Sequence, residues 1–158
     1  MTSGSTETVR VGAEVLIRRA KPNEHNAIRA LVQAVLDEIY GGASGLLAIT
    51  TDQEDWSLAW VAISGAGIVG IVLTHDEWVS DLWVLPENRG VRVGQRLLAQ
   101  AEDEIMGRGH QTLRLRVEKS NQRAVHFYER QGWQIAREFP HEKLPVMMLE
   151  MTKLVIPS

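Results

Sequence analysis

Two arginines and two glycines, Arg89, Gly90, Arg92 and Gly94, stand where an apolar run ending in Val84-Leu85-Pro86 gives way to the helix-forming stretch GQRLLAQAEDEI. A strand that turns tightly into a helix leaves the first backbone N–H groups of the helix without partners, and these gather roughly half a positive charge. Such a start binds anions. Glycine lets a backbone approach a ligand closely, and Arg89 and Arg92 add full charges, so a diphosphate suits this chemistry. Two phosphate loops are excluded by spacing: Gly94 is followed by Gln95-Arg96, not by the Lys-Ser/Thr of a P-loop, and Gly90-Val91-Arg92-Val93-Gly94 is not G-x-G-x-x-G. From these residues alone, an ordinary turn with solvated arginines remains nearly as good a reading.

Other chemistries are narrower. Cysteine is absent, which removes disulfides, thiolate nucleophiles and cysteine-ligated metals. The histidines at 25, 75, 110, 126 and 141 make no pair at metal spacing, and HEKLP from His141 lacks the second histidine of H-E-x-x-H, so no metal is expected. Charge is uneven: residues 1–88 hold 5 Lys and Arg against 12 Asp and Glu, whereas residues 89–130 hold 9 against 5. A basic segment that opens at the glycine-arginine turn favours a phosphate-bearing ligand, and an acidic first half hints at a cationic one through Asp37, Glu38, Asp52, Glu54 and Asp55. The chain as a whole is acidic, at −3, and forms no long basic stripe, so nucleic acid is not expected as a partner.

The elements that must position these residues follow from patterning. A length of 158 residues with 44% apolar composition suits one domain with a real core. Residues 1–13 read as a loose polar arm, and residues 14–158 as the folded domain. No run approaches the roughly 20 apolar residues of a membrane span, so no membrane partner is expected and a cytoplasmic location is the default. EVLIRR (14–19) predicts a strand, and Pro22 opens a helix with Ile28, Leu31, Val32, Val35 and Ile39 on one face, stopping at Gly41-Gly42. YGGASG (40–45) leads into a second helical piece ending near Trp56. SLAWVAI (57–63) and GIVGIVLT (67–74) predict a hairpin, and a third strand runs from about Glu77 to Leu85. Val93, Leu97, Leu98, Ala101 and Ile105 form a helical stripe after the turn. TLRLRVE (112–118) alternates, with Leu113, Leu115 and Val117 on one face and Arg114 and Arg116 on a solvated one. Residues 121–131 predict a helix closed by Gly132, followed by strands at 133–138 and 146–151. The five tryptophans, 56, 60, 78, 83 and 133, read as core residues, with Trp83 also able to wall a cleft.

LWVLPENRGVRVGQRLL, followed later by NQRAVHFYERQGW, resembles the GNAT superfamily of acyl-CoA-dependent N-acetyltransferases over residues 79–133. The resemblance implies an α/β (α+β) GNAT-like single domain: a mixed, mainly antiparallel sheet of six to seven strands, about four helices and a splayed cofactor cleft. It implies acetyl-CoA as co-substrate, with Leu82, Trp83 and Val84 pairing with the pantetheine arm as an added strand would. Arg89, Gly90, Val91, Arg92, Val93, Gly94 and Gln95 would take the diphosphate, and one strand N–H would polarise the thioester carbonyl. The family's middle glycine is Arg92 here, for which an ordinary helical backbone is expected, because a left-handed one would cost about 1–2 kcal/mol. Val79 and Leu82 both match apolar family positions, which alternation alone cannot place on one face, so a β-bulge is expected near Ser80-Asp81.

By the same resemblance Tyr128 is the general acid: a phenol with a pKa of about 10 is protonated at neutral pH and can give its proton to a departing thiolate. A core tyrosine beside Phe127 is its structural alternative. Asn121 matches a cofactor-contacting position and is equally a preferred helix N-cap. Some relatives carry a glutamate base where this chain has Ser80, leaving Asp81, or Glu77, to act through water; Asp81 reads equally as a structural acceptor. The implied reaction is direct acetyl transfer from acetyl-CoA to a primary amine on a small molecule or peptide. The acceptor would be bordered by the loops at 40–45 and 139–145, and dimers are common among similar proteins. A sensor or scaffold that binds acyl-CoA without transferring its acyl group is the alternative, and an interaction module that binds no cofactor a more distant one.

Overall fold

The computed structural model describes residues 15–40, 55–65, 67–90 and 92–155. β1 (Val15–Arg19) leads through a 3₁₀ turn at Pro22–Glu24 into α1 (His25–Tyr40). Proline is tolerated at this first helical position because its missing N–H would have no helical partner. β2 (Trp60–Ser64) and β3 (Gly67–His75) form the expected antiparallel hairpin, with a register shift between Ala62 and Ile63. Its first strand begins later than the pattern suggests. Asp55 accepts the Ser57 N–H at 3.0 Å and caps a 3₁₀ turn at Trp56–Leu58, which takes Ser57 and Leu58 out of the strand.

β4 (Trp78–Val84) follows, then α2 (Val93–Gly107), β5 (Thr112–Glu118), α3 (Gln122–Arg130), β6 (Gln134–Pro140) and β7 (Met147–Leu154). The seven strands hydrogen-bond in the order β1-β2-β3-β4-β5-β7-β6, mainly antiparallel, with β4 and β5 parallel. The described helices are three α-helices and three 3₁₀ turns. The glycine-rich loop at 40–45, most of the second helical piece and the N-terminal arm lie outside the described residues.

Contacts divide the chain into two compact units, Met1–Leu73 with Asp81–Gln100, and Thr74–Ser80 with Ala101–Ser158. In the first, Ile28, Leu31, Val32, Val35 and Leu36 of α1 pack with Trp56, Ala59, Val61, Ile71 and Leu73. Leu36 joins the stripe, and Ile39 lies at its half-buried margin. Gly70 makes a close approach possible: a Cβ there would stand 2.8 Å from Leu97 Cδ1 and 3.2 Å from Val93 Cγ1, so glycine lets the start of α2 lie against β3.

In the second unit Leu113, Leu115 and Val117 are buried, and the β5–β7 register sets Leu115 opposite Met151 and Val117 opposite Leu149. Val125, Tyr128 and Trp133 are buried in this unit as well. Gly132, at φ +95°, closes α3 as the sequence predicts, because a left-handed residue after a helix costs glycine little. Glu102 of α2 accepts from the Trp133 indole at 3.1 Å and from Lys153 Nζ at 3.0 Å.

Candidate active site

The turn between β4 and α2 holds the glycine-arginine stretch that the sequence marks as a candidate anion site. Leu85 donates its N–H to Val69 O at 3.0 Å, and a 3₁₀ turn at Pro86–Asn88 then swings the chain to Arg89, which is extended. Gly90 has φ +86° and Arg92 φ +68°, and α2 starts at Val93. The first helical bond runs from Arg96 N–H to Arg92 O at 3.0 Å, so the N–H groups of Val93, Gly94 and Gln95 have no acceptor within the helix. Those groups and the positive end of α2 suit a phosphate. A Cβ on Gly90 would meet nothing within 4 Å, so glycine is required there by the backbone angle and not by crowding.

Arg92 corrects an expectation. Its backbone is left-handed, not helical: an extended Arg89 must be turned into a helix that starts at Val93, and the fold imposes the motif glycine's conformation on an arginine. Its side chain is exposed. Arg89 is already engaged, its guanidinium 2.7 Å from Glu38 Oε2 on α1. Val91 lies outside the described residues.

The strand before the turn keeps its phase longer than expected. Val79 is buried, Ser80 exposed and Asp81 buried, an unbroken alternation across the expected bulge position, and Leu82, Trp83 and Val84 are all half-buried. The Trp83 indole makes this possible by donating to Asp81 Oδ1 at 3.0 Å, which supports a carboxylate turned inward. Trp83 also packs against the core of the first unit, as a core reading requires. The parallel ladder with β5 sets Trp78 opposite Arg114 and Val79 opposite Leu115, the start of β4. Leu82, Trp83, Val84 and the turn through Gln95 thus belong to one unit with Asp81.

Asn121 and Tyr128 belong to the other unit. Asn121 is the N-cap of α3: its Oδ1 accepts the Ala124 N–H at 3.3 Å, so the capping role read from sequence is realised. Tyr128, on the buried face of α3, meets Phe127 edge-on at 5.3 Å and Trp133 at 6.2 Å.

Sequence patterning missed the polar face of the second unit. Arg114 and Arg116 alternate outward as expected, but Arg114 is not simply solvated. It lies 3.0 Å from Glu150 Oε2, and Arg137 lies 3.1 Å from Glu150 Oε1, so a carboxylate buried to 6% exposure is held by two guanidinium groups. Arg116 lies over the rings of Trp78 and Phe139, at 5.0 and 5.4 Å. The only signal available in the sequence was period-two alternation, which names a face and not its partners.

The acetyltransferase (GNAT) family profile matches residues 26–133. Among solved structures, a GCN5-related N-acetyltransferase from Rhodopseudomonas palustris is 19% identical with a TM-score of 0.75, over 89% of this chain and 95% of that one. The PaiA N-acetyltransferase of Thermoplasma acidophilum, solved in complex with coenzyme A, is 17% identical with a TM-score of 0.71, over 89% and 99%. The ribosomal-protein-S18-alanine N-acetyltransferase of Escherichia coli is 18% identical with a TM-score of 0.68, over 91% and 96%. At these identities the likeness to solved structures establishes the fold. No curated protein matches the chain by sequence.

Proposed function

The chain belongs to the acetyltransferase (GNAT) family, and on that premise we propose that it transfers an acetyl group from acetyl-CoA directly to a primary amine. One observation carries the reading: the start of α2 offers the N–H groups of Val93, Gly94 and Gln95 behind two left-handed residues, Gly90 and Arg92. Left-handed turns aim successive N–H groups into one concavity, where a diphosphate is the natural guest. The strain at Arg92 is then part of the site, since such backbone persists where surrounding structure imposes it. Leu82, Trp83 and Val84 would pair with the pantetheine arm, and Asn121 would reach the cofactor only by sharing the oxygen that caps α3.

In the reaction the amine nitrogen attacks the thioester carbonyl carbon, and a strand N–H stabilises the resulting oxyanion. The C–S bond then breaks, the thiolate takes the phenolic proton of Tyr128, and the nitrogen loses its proton through water. Asp81 is the proposed receiver of that proton. An alkyl amine with a pKa of about 10.4 costs about 4.6 kcal/mol to deprotonate at neutral pH, against about 1.4 for an α-amine near 8, so an α-amine makes little demand on a base. That suits a carboxylate already engaged by the Trp83 indole.

The test is thiol release from acetyl-CoA over a panel of amines, comparing wild type with Tyr128→Phe. Transfer predicts release with at least one amine class and a large loss in the variant; a sensor that binds acyl-CoA without transfer would release no thiol. A cytoplasmic location is proposed with this function. Among the described residues no helix is long and apolar enough to cross a membrane.

A further inference from the structure

We propose that Arg116 recognises a carboxylate on the amine acceptor, so that the substrate class is amino acids or peptides whose acid group lies close to the reacting amine. The inference rests on the acetyl-transfer reading above and adds its acceptor.

The β5–β7 register sets Arg116 directly opposite Glu150, a cross-strand pairing in which an arginine and a glutamate would ordinarily bond to each other. They do not. Glu150 gives one oxygen to Arg114 at 3.0 Å and the other to Arg137 at 3.1 Å, and so is fully used by its two other neighbours. Arg116 is held instead by aromatic faces, with Trp78 of β4 at 5.0 Å and Phe139 of β6 at 5.4 Å from its guanidinium carbon. Among the described residues its carboxylate neighbour is Glu142, 3.8 Å away and 77% exposed. Two ring contacts thus restrain a guanidinium whose side chain is 46% exposed, and a restrained, part-exposed guanidinium is suited to bidentate binding of a carboxylate. An exposed Glu142 at that distance is a counter-ion that a ligand can displace.

The position of this fork gives it meaning. Trp78 and Ser80 share one face of β4, on either side of buried Val79, and lie about 7 Å apart along the strand. Ser80 stands where the family motif places a base in some relatives, so a carboxylate on the guanidinium over Trp78 would lie within the span of an amino acid or a short peptide from the reacting nitrogen. Three of the five acidic residues that hinted at a cationic acceptor have structural employment: Asp37 accepts from Gln33, Glu38 binds Arg89 and Asp55 caps a turn, while Asp52 and Glu54 lie outside the described residues.

The experiment uses the full chain with CoA present and does not require turnover. Binding is measured by calorimetry for N-acetylalanine against N-acetylalaninamide, and for the α-amide of N-acetylaspartic acid against that of N-acetylasparagine, with the Arg116 Nε–H resonance followed by NMR in wild type. The first pair reads an α-carboxylate and the second an acidic side chain. In wild type the acid of at least one pair should bind about 10- to 100-fold tighter than its amide, in line with a charge-assisted hydrogen bond. Arg116→Gln should bring that ratio close to one while acetyl-CoA affinity stays unchanged and the fold is retained, with a modest fall in Tm from the lost ring contacts. Arg116→Lys keeps a charge but not the fork and should fall between; it decides the matter if the glutamine variant does not fold. Equal binding within both pairs, or a preference that survives both substitutions, overturns the proposal. Thiol release over the amine panel tests the transfer reading separately.

Discussion

The β4–α2 turn and the outer face of β5, β6 and β7 both present arginines to a prospective ligand, yet they are built from opposite materials. At the turn the proposed binding groups are main-chain N–H groups, preceded by the left-handed residues Gly90 and Arg92. The nearby arginine, Arg89, is already neutralised by Glu38 at 2.7 Å. On the sheet face the backbone is occupied by ladders, and the binding group is a side chain, Arg116, held between Trp78 and Phe139. A backbone site needs particular residues at fixed spacing in one stretch of chain. A side-chain site needs only that residues 78, 116, 139 and 150 meet in space, and this leaves no local trace.

The largest effect that would sharpen this contrast is catalytic. Tyr128→Phe keeps the ring contacts with Phe127 and Trp133 and removes one hydroxyl. It should lower kcat by about 10²- to 10⁴-fold with acetyl-CoA binding unchanged, as expected for loss of a general acid. Steady-state thiol release checks this, and unchanged turnover would return Tyr128 to the core.

Next comes the close approach beneath the turn. Gly70→Ala would drive a methyl group to 2.8 Å from Leu97 Cδ1 and 3.3 Å from the Trp83 carbonyl oxygen, and should destabilise the fold by about 1–3 kcal/mol. Urea denaturation reads this. A loss within error would show that α2 shifts freely, and would weaken the claim that its start is rigidly aimed.

Arg92→Gly tests backbone against side chain at one residue. Relief of a left-handed arginine, worth roughly 1–2 kcal/mol, is partly offset by about 0.5–1 kcal/mol of added freedom in the unfolded chain. A net gain of up to about 1.5 kcal/mol is expected, with CoA affinity changed only a few-fold. A loss of affinity beyond about tenfold would mean that the arginine charge, and not the amide groups, carries the phosphate.

The smallest effect is electrostatic. Arg18 grips Glu24 through two hydrogen bonds, at 2.9 and 2.7 Å. Chiefly through those bonds it holds the Glu24 carboxyl at about 2, below the ordinary 4.5. A depressed carboxylate stabilises the fold above its unfolded pKa, and the contribution disappears as pH falls from about 4.5 towards 2. For a partly exposed pair of this kind it is on the order of 1 kcal/mol. Wild type should melt above Glu24→Gln at pH 6, and the gap should shrink steadily below pH 4.5 and be mostly lost as pH nears 2; a constant gap would show that the pair contributes through packing instead.

These outcomes also mark what the sequence could say. The stripe Val93, Leu97, Leu98, Ala101 and Ile105 is buried throughout, and the alternation of Leu113, Leu115 and Val117 survives intact, because helical and strand periods are local properties of the chain. The turn at Arg89–Gly94 was legible because its geometry is fixed by neighbours in sequence. The left-handed angle of Arg92 was not: residue type argues against it, and the fold imposes it from both ends. The inward turn of Asp81 depended on an indole two residues away, and the sharing of Glu150 between Arg114 and Arg137 on strand registers that no single stretch encodes.

The central claim is that main-chain N–H groups at the start of α2 hold the diphosphate of coenzyme A. Its most direct test follows the ¹⁵N–H resonances of Val93, Gly94 and Gln95 during titration with coenzyme A and, separately, with pantetheine, which lacks the diphosphate. Large shifts at these three amides with coenzyme A, and none with pantetheine, are the predicted result. Amides left unmoved by coenzyme A, or moved equally by both ligands, would contradict the account.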